Sequence, residues 1–183
     1  MGAGKTSVGR ALGEKLNCAF EDLDDRIERS EGRTIAEIFR ASGEAEFRRV
    51  ERTALCGLLE ELADDETRVA VVGLGGGAFV QKENAELLGA SGLLTVFLDA
   101  PVEELWQRCV KQSSEQELQR PLLQSMEQFQ KLFDGRHASY LKASLRVKTD
   151  GRTVDALARE IAQAIRLKNL QPNLRKKKEG LTQ

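Results

Sequence analysis

Four short stretches combine residue types suited to handling a phosphorylated ligand. In GAGKTS, residues 2–7, Gly4, Lys5 and Thr6 read as the closing half of a phosphate-binding loop, G-x-x-x-x-G-K-[ST]. Glycines let a backbone approach an anion closely. The N–H groups at a helix N-terminus then point at it, and the helix dipole adds to the attraction. Lys5 supplies a cation for the β- and γ-phosphates, and the Thr6 hydroxyl can ligand Mg2+. In EDLDDRIE, Asp22 and Asp24 stand two apart at the end of a strand, so the extended reading sends both side chains to one side. Two carboxylates so placed can divide two tasks: holding a magnesium ion through water, and accepting a proton from a substrate hydroxyl. Asp25 suits a helix cap.

In EFRRVE, Arg48 and Arg49 are adjacent, so on a helix they point about 100° apart and cannot both face one ligand. Arg48 flanks the apolar Phe47 and could grip a planar carboxylate through two parallel hydrogen bonds; Arg49 suits a surface ion pair. In GLGGGAF, Gly75, Gly76 and Gly77 follow an apolar strand. Three consecutive glycines weaken a fold unless a close backbone approach requires them. The end of a parallel strand is where ligands bind in α/β sheets.

The elements that would position these groups alternate. Val8, Leu12 and Leu16 mark an amphipathic helix directly after GKT. CAFED (18–22), VAVVGL (69–74), TVFLDA (95–100) and SLRVKT (144–149) read as strands. Thr34 and Glu37 form a capping box for a helix to about Ala41, and Phe47, Val50, Ala54, Leu58 and Leu62 line another. Helices are expected from Val102 to Cys109, through Lys131 and Tyr140 to Ala143, and from Val154 to Leu167. Residues 110–124, polar and containing Pro121, are expected to form a mobile lid, and 169–183 a disordered basic tail. The pattern predicts an α/β chain with a parallel sheet between helical layers, a three-layer αβα arrangement in one domain over 1–168.

Composition narrows the partners. Among 183 residues, 28 Lys plus Arg against 29 Asp plus Glu leave a net charge of −1, so bulk charge draws the chain to neither nucleic acid nor membrane. Three cysteines without metal-ligand spacing fit a reducing compartment, and no apolar run has the length of a membrane span. A cytoplasmic monomer is expected.

In their order along the chain, GKT, D-L-D, G-R-T-I-A-E-I-F, G-E-A-E-F-R-R-V-E, L-G-G-G-A, R-P-L-L and R-H-A-S-Y resemble the shikimate kinases, over about residues 2–167. The resemblance implies a P-loop NTPase-type fold and ATP-dependent phosphorylation of the 3-hydroxyl of shikimate, with Mg2+ as cofactor. It implies that Gly2, Ala3, Gly4, Lys5, Thr6 and Ser7 bind ATP, and that Thr6 and, through water, Asp22 serve the metal. It implies that Asp24 binds the substrate and takes its proton, with Lys5 and Arg120 as the other catalytic groups. Arg120 is the lid arginine that closes over the phosphates. Arg48 and Arg136 match the arginines holding the substrate carboxylate, Gly75, Gly76 and Gly77 its backbone platform, and Glu51 the carboxylate that orients Arg48. His137 is expected to be structural.

Family members carry an apolar strand and a first loop glycine ahead of the residues matching Met1–Thr6, and such a strand is expected to precede this loop. A gluconate-type kinase and a non-catalytic binding protein are the alternatives; both arginines and the triple glycine favour a ringed carboxylate.

Overall fold

The computed structural model describes residues 2–65, 69–116 and 125–179. The first helix, α1 (Lys5–Leu16), leads through Asn17 into strand β1 (Ala19–Asp22). Helices α2 (Leu23–Glu31) and α3 (Ile35–Asp64) follow, then β2 (Ala70–Gly73) and a 3₁₀ turn at Ala78–Val80. The remainder is α4 (Lys82–Ala90), β3 (Val96–Asp99), α5 (Val102–Gln116), α6 (Met126–Tyr140), β4 (Leu145–Lys148) and α7 (Val154–Glu179).

The capping box starts α3: Thr34 Oγ1 accepts from Glu37 N at 3.2 Å, and Glu37 Oε2 accepts from Thr34 N at 2.8 Å. Gly43 then breaks this helix with φ 77° and ψ −179°, a left-handed conformation that glycine adopts without a Cβ penalty. The break separates the two helices read from the sequence.

All strand pairing is parallel. β1 pairs with β2 from Ala19–Ala70 to Asp22–Gly73, and β3 with β4 from Val96–Leu145 to Asp99–Lys148. The hydrogen bonds divide the strands into two pairs instead of joining them in one sheet. Between β2 and β3 runs a slot of about 530 Å3, lined by Val71, Phe97, Leu98, Val8, Leu58 and Ile161 among others. No strand among the described residues bridges it. One end opens among Lys5, Gly75, Gly76, Arg136 and Tyr140.

Around the strands, Val8 and Leu12 of α1 pack with Leu98, Val147, Leu157 and Ile161. Leu23, Ile27, Ile38, Phe47, Val50 and Leu55 form a second cluster joining α2 to both halves of α3. Leu105, Cys109 and Phe129 join α5 to α6. No helix among the described residues is long and apolar enough to cross a membrane.

Several elements differ from the sequence reading, which placed neither α2 nor α4. Asp24 does not continue a strand: β1 stops at Asp22, and Asp24 sits in the first turn of α2. α5 extends through Gln116, into the segment read as a mobile lid. Lys, Gln and Glu sustain a helix by propensity where no apolar stripe advertises it. The helical backbone of α7 also passes Leu167, where the stripe ends, and continues to Glu179. Residues 117–124, with Arg120, lie outside the described residues.

Candidate active site

The phosphate loop is built where Gly4 adopts φ 79° and ψ 23° as the N-cap of α1, with no side chain capping the helix. Val8 N donates to Gly4 O at 2.9 Å, so the amides of Lys5, Thr6 and Ser7 are left at the mouth of the helix, the arrangement that receives an anion. Nothing approaches within 4 Å of where a Gly4 side chain would start. Gly2, in contrast, is wedged in place: a methyl group there would meet Leu105 O at 2.5 Å and Cys109 Sγ at 3.0 Å. Ala3 packs between the α1 and α5 clusters.

The end of β1 reaches this loop. Thr6 Oγ1 stands 3.5 Å from Asp22 Oδ2, and the other Asp22 oxygen accepts from Asp24 N at 3.1 Å, capping α2. The cap brings Asp24 alongside Asp22. Burial raises the Asp24 pKa above the usual carboxylate value; the Asp22 charge adds to the rise and the Lys5 charge partly offsets it.

Beyond the carboxylates lies the glycine loop. A methyl group on Gly75 would meet Asp24 Oδ1 at 3.2 Å and Glu51 Oε1 at 3.6 Å; one on Gly77 would meet Arg48 Nη1 at 2.5 Å. Glu51 is 1% exposed and accepts from Arg48 Nη1 at 2.8 Å. Burial raises the Glu51 pKa, while Arg48 and more weakly Arg136 draw it back. Arg48 also holds Glu44 at 3.1 Å, and its Cζ lies 5.0 Å from the Phe47 ring centre. Burial opposes the Arg48 charge, but Glu51 and Glu44 outweigh it and its pKa is raised. Arg49 turns away and pairs with Glu46 at 2.7 Å.

Asp22, Asp24, Lys5, Thr6, Arg48, Glu51 and the Gly75–Gly77 loop are thus brought together, and Arg136 joins them through its influence on Glu51. His137 stacks on Phe133 at 5.1 Å and meets the edge of Phe97 at 6.0 Å. The sequence reading passed over two neighbours. Phe39, 38% exposed, lies 4.6 Å from Phe47 across the Gly43 break, extending the wall beside Arg48; an apolar residue on the outer face of a short helix was the available signal. The Tyr140 hydroxyl donates to Gly76 O at 2.7 Å, a contact between residues 64 apart that no local pattern announces. Among the described residues no group of three or more His, Cys, Asp or Glu is placed to hold a metal by itself.

The family model described as "Shikimate kinase" matches residues 1–166. The chain is 34% identical to the shikimate kinase of Persephonella marina over 167 residues, 91% of this chain and 94% of the relative. It is 37% identical to that of Cereibacter sphaeroides over 90% of this chain and 78% of the relative. Shikimate kinase from Acinetobacter baumannii, solved in complex with shikimate, superposes with a TM-score of 0.79 at 37% identity, covering 92% of this chain and 89% of that one. A gluconokinase from Sinorhizobium meliloti, at 21% identity and a TM-score of 0.57, shares the fold. This chain, from its phosphate loop into its last helix, belongs to the shikimate kinase family.

Proposed function

We propose that this chain transfers the γ-phosphoryl group of ATP to the 3-hydroxyl of shikimate, giving shikimate 3-phosphate and ADP, through the residues gathered around Gly75. The observation that carries the assignment of roles is the convergence there. The Asp24 and Glu51 carboxylates lie against Gly75, the Arg48 guanidinium lies against Gly77, and Lys5 is near enough to act on Asp24. Phosphoryl transfer asks for positioning and charge neutralisation more than for covalent help. Gly2, Ala3, Gly4, Lys5, Thr6 and Ser7 hold the phosphates at the α1 N-terminus. Arg48 and Arg136 hold the substrate carboxylate, with Gly75, Gly76 and Gly77 as the surface beneath it. Asp24 orients the hydroxyl and takes its proton; a carboxylate with a raised pKa is the stronger base. Arg120 is assigned to the phosphates by resemblance alone.

Thr6 and Asp22 offer a hydroxyl and a carboxylate 3.5 Å apart, the hard oxygen donors that Mg2+ accepts when phosphates and water complete its shell. They would hold the ion, which when bound neutralises charge on the phosphate oxygens. We take the chain to act as a monomer. Cysteines without metal-ligand spacing suit a cytoplasmic setting, and a net charge of −1 gives no bulk attraction to nucleic acid or membrane.

ADP release by the purified chain with shikimate, with gluconate and with no acceptor tests this. Release that requires both shikimate and Mg2+ is expected. Equal release with gluconate would transfer the assignment to the related sugar-acid kinases, and no release in any arm would leave a binding protein.

A further inference from the structure

The glycine loop is a flexible sequence used as a rigid surface, so something must hold it. Its own turns engage two carbonyls: Ala78 N donates to Gly75 O at 3.1 Å, and Val80 N donates to Gly77 O at 3.2 Å. Asn84, 1% exposed on α4, donates through Nδ2 to Ala78 O at 3.1 Å. The remaining carbonyl, that of Gly76, accepts from the Tyr140 hydroxyl at 2.7 Å. In a trans peptide the carbonyl of one residue and the N–H of the next are antiparallel. The Tyr140 bond therefore fixes the plane of the Gly76–Gly77 peptide and the direction of the Gly77 N–H. That peptide is the one packed against Arg48, since a methyl group on Gly77 would lie 2.5 Å from Nη1 and 2.6 Å from Nη2.

Tyr140 is itself well seated. Its ring lies 5.3 Å from that of Phe97, centre to centre, on β3. Burial raises its phenol pKa, and Arg136, one helical turn earlier on α6, draws it back. The hydroxyl that holds the backbone beneath Arg48 thus sits on the same helix as Arg136, four residues on. The two arginines come from different helices, α3 and α6, and a bidentate grip on one carboxylate tolerates little error between them.

We infer that Tyr140 is a positioning residue for the acceptor side of the site: its hydroxyl anchors the Gly76–Gly77 peptide packed against Arg48, one helical turn from Arg136, and so sets the geometry in which the two arginines receive the substrate carboxylate. This rests on the proposed shikimate reading. It leaves the ATP side alone, because the phosphate loop is built on α1 and makes no contact through that hydroxyl.

Tyr140→Phe keeps the ring on Phe97 and removes only the oxygen. With the full chain and Mg-ATP, KM for shikimate should rise about 3–10-fold, the scale of one net hydrogen bond. KM for ATP should stay within twofold, and the melting temperature within a few degrees. Asn84→Ala, which frees a neighbouring carbonyl of the same loop while leaving the Gly76 carbonyl held by Tyr140, should lower the melting temperature more and raise the shikimate KM less. Three results would overturn the inference. They are an unchanged shikimate KM in Tyr140→Phe, a parallel rise in both KM values, and an Asn84→Ala variant whose shikimate KM rises as far. If the wild-type chain turns over no shikimate, the functional reading fails and takes this inference with it. Wild-type turnover with any of the three results refutes the Tyr140 role alone.

Discussion

Replacing Gly77 by alanine isolates the link between the glycine loop and Arg48. Gly77 has φ −85° and ψ −29°, so alanine fits the backbone without strain and the whole effect is steric. The new methyl group would stand 2.5 Å from Arg48 Nη1, 2.6 Å from Nη2 and 2.8 Å from Cζ. Ordinary contact between such atoms begins near 3.5 Å, so the guanidinium must retreat by about 1 Å. Its bond to Glu51 Oε2 is 2.8 Å long, and a retreat of that size takes it past the useful range of a hydrogen bond. Glu51, almost wholly buried, would then lose its partner, at a cost of about 1–3 kcal/mol. An error of about 1 Å in a group that orients a substrate costs on the order of 10²-fold. Steady-state kinetics should therefore show kcat/KM for shikimate falling by roughly 30–100-fold, the loss mostly in the shikimate KM, with KM for ATP little changed. Differential scanning calorimetry should show a lower melting temperature. Gly89→Ala is the control: no atom lies within 4 Å of its added methyl group on α4, so stability should rise slightly and kinetics stay unchanged. Gly77→Ala with normal shikimate kinetics and an unchanged melting temperature would refute the reasoning that Gly77 sets the place of Arg48.

Asp24→Asn should lower kcat by roughly 10²–10⁴-fold while ATP titrations change little. Because the folded-state pKa of Asp24 is raised, its contribution to stability is present below the unfolded pKa and lost as pH rises through the folded one. The variant should therefore melt higher than wild type at neutral pH, and wild-type kcat should fall as pH drops through the same raised value; a pH-independent kcat in that range would argue against Asp24 as the base. Arg48→Lys and Arg136→Lys should each raise the shikimate KM far more than the ATP KM, since an ammonium cannot make the bidentate contact; competition assays with both ligands decide it. Adding a strand of five or six apolar residues ahead of Met1 should fill the slot between β2 and β3 and raise the melting temperature and ATP affinity together. Among the described residues β2 and β3 each have an edge without a strand partner, the lining between them includes Val71, Phe97 and Leu98, and each side chain buried there contributes about 1.5–3 kcal/mol; equal melting curves for the two chains would show that the slot does not accept a strand.

What the sequence made legible was mostly local. Gly4, Lys5 and Thr6 stand at the start of the helix that follows them directly, and the divergence of Arg48 from Arg49 needs only the pitch of a helix. The strand positions were legible for a similar reason, as short apolar runs such as VAVV. The pairing of Asp22 with Asp24 was expected for the wrong reason. Extended geometry was assumed, whereas a cap that turns the chain into α2 is what brings them together. α2 itself was not placed, because Leu23 and Ile27 are its two buried residues and two positions make no stripe. The joining of Tyr140 to Gly76 depends on how α6 crosses the end of β2, which no spacing within either segment encodes. Nor does any spacing encode the division of the strands into two pairs.

The partner of α1 in the core has a bearing on how the molecule is made. Val8 and Leu12 are covered by Leu157, Ala158, Ile161 and Ala162 of α7, and Lys15 reaches Asp155 at 2.6 Å. α1 is thus sealed by a helix synthesised well over a hundred residues after it. At about 5–20 residues per second, α1 would wait roughly 8–30 s for Ile161 to be synthesised, and longer for it to clear the exit tunnel. Throughout that interval its apolar face has no permanent cover, and the nucleotide loop at its head has no fixed footing. The nascent chain therefore completes its nucleotide loop late, and α1 stays open to chaperones until α7 arrives.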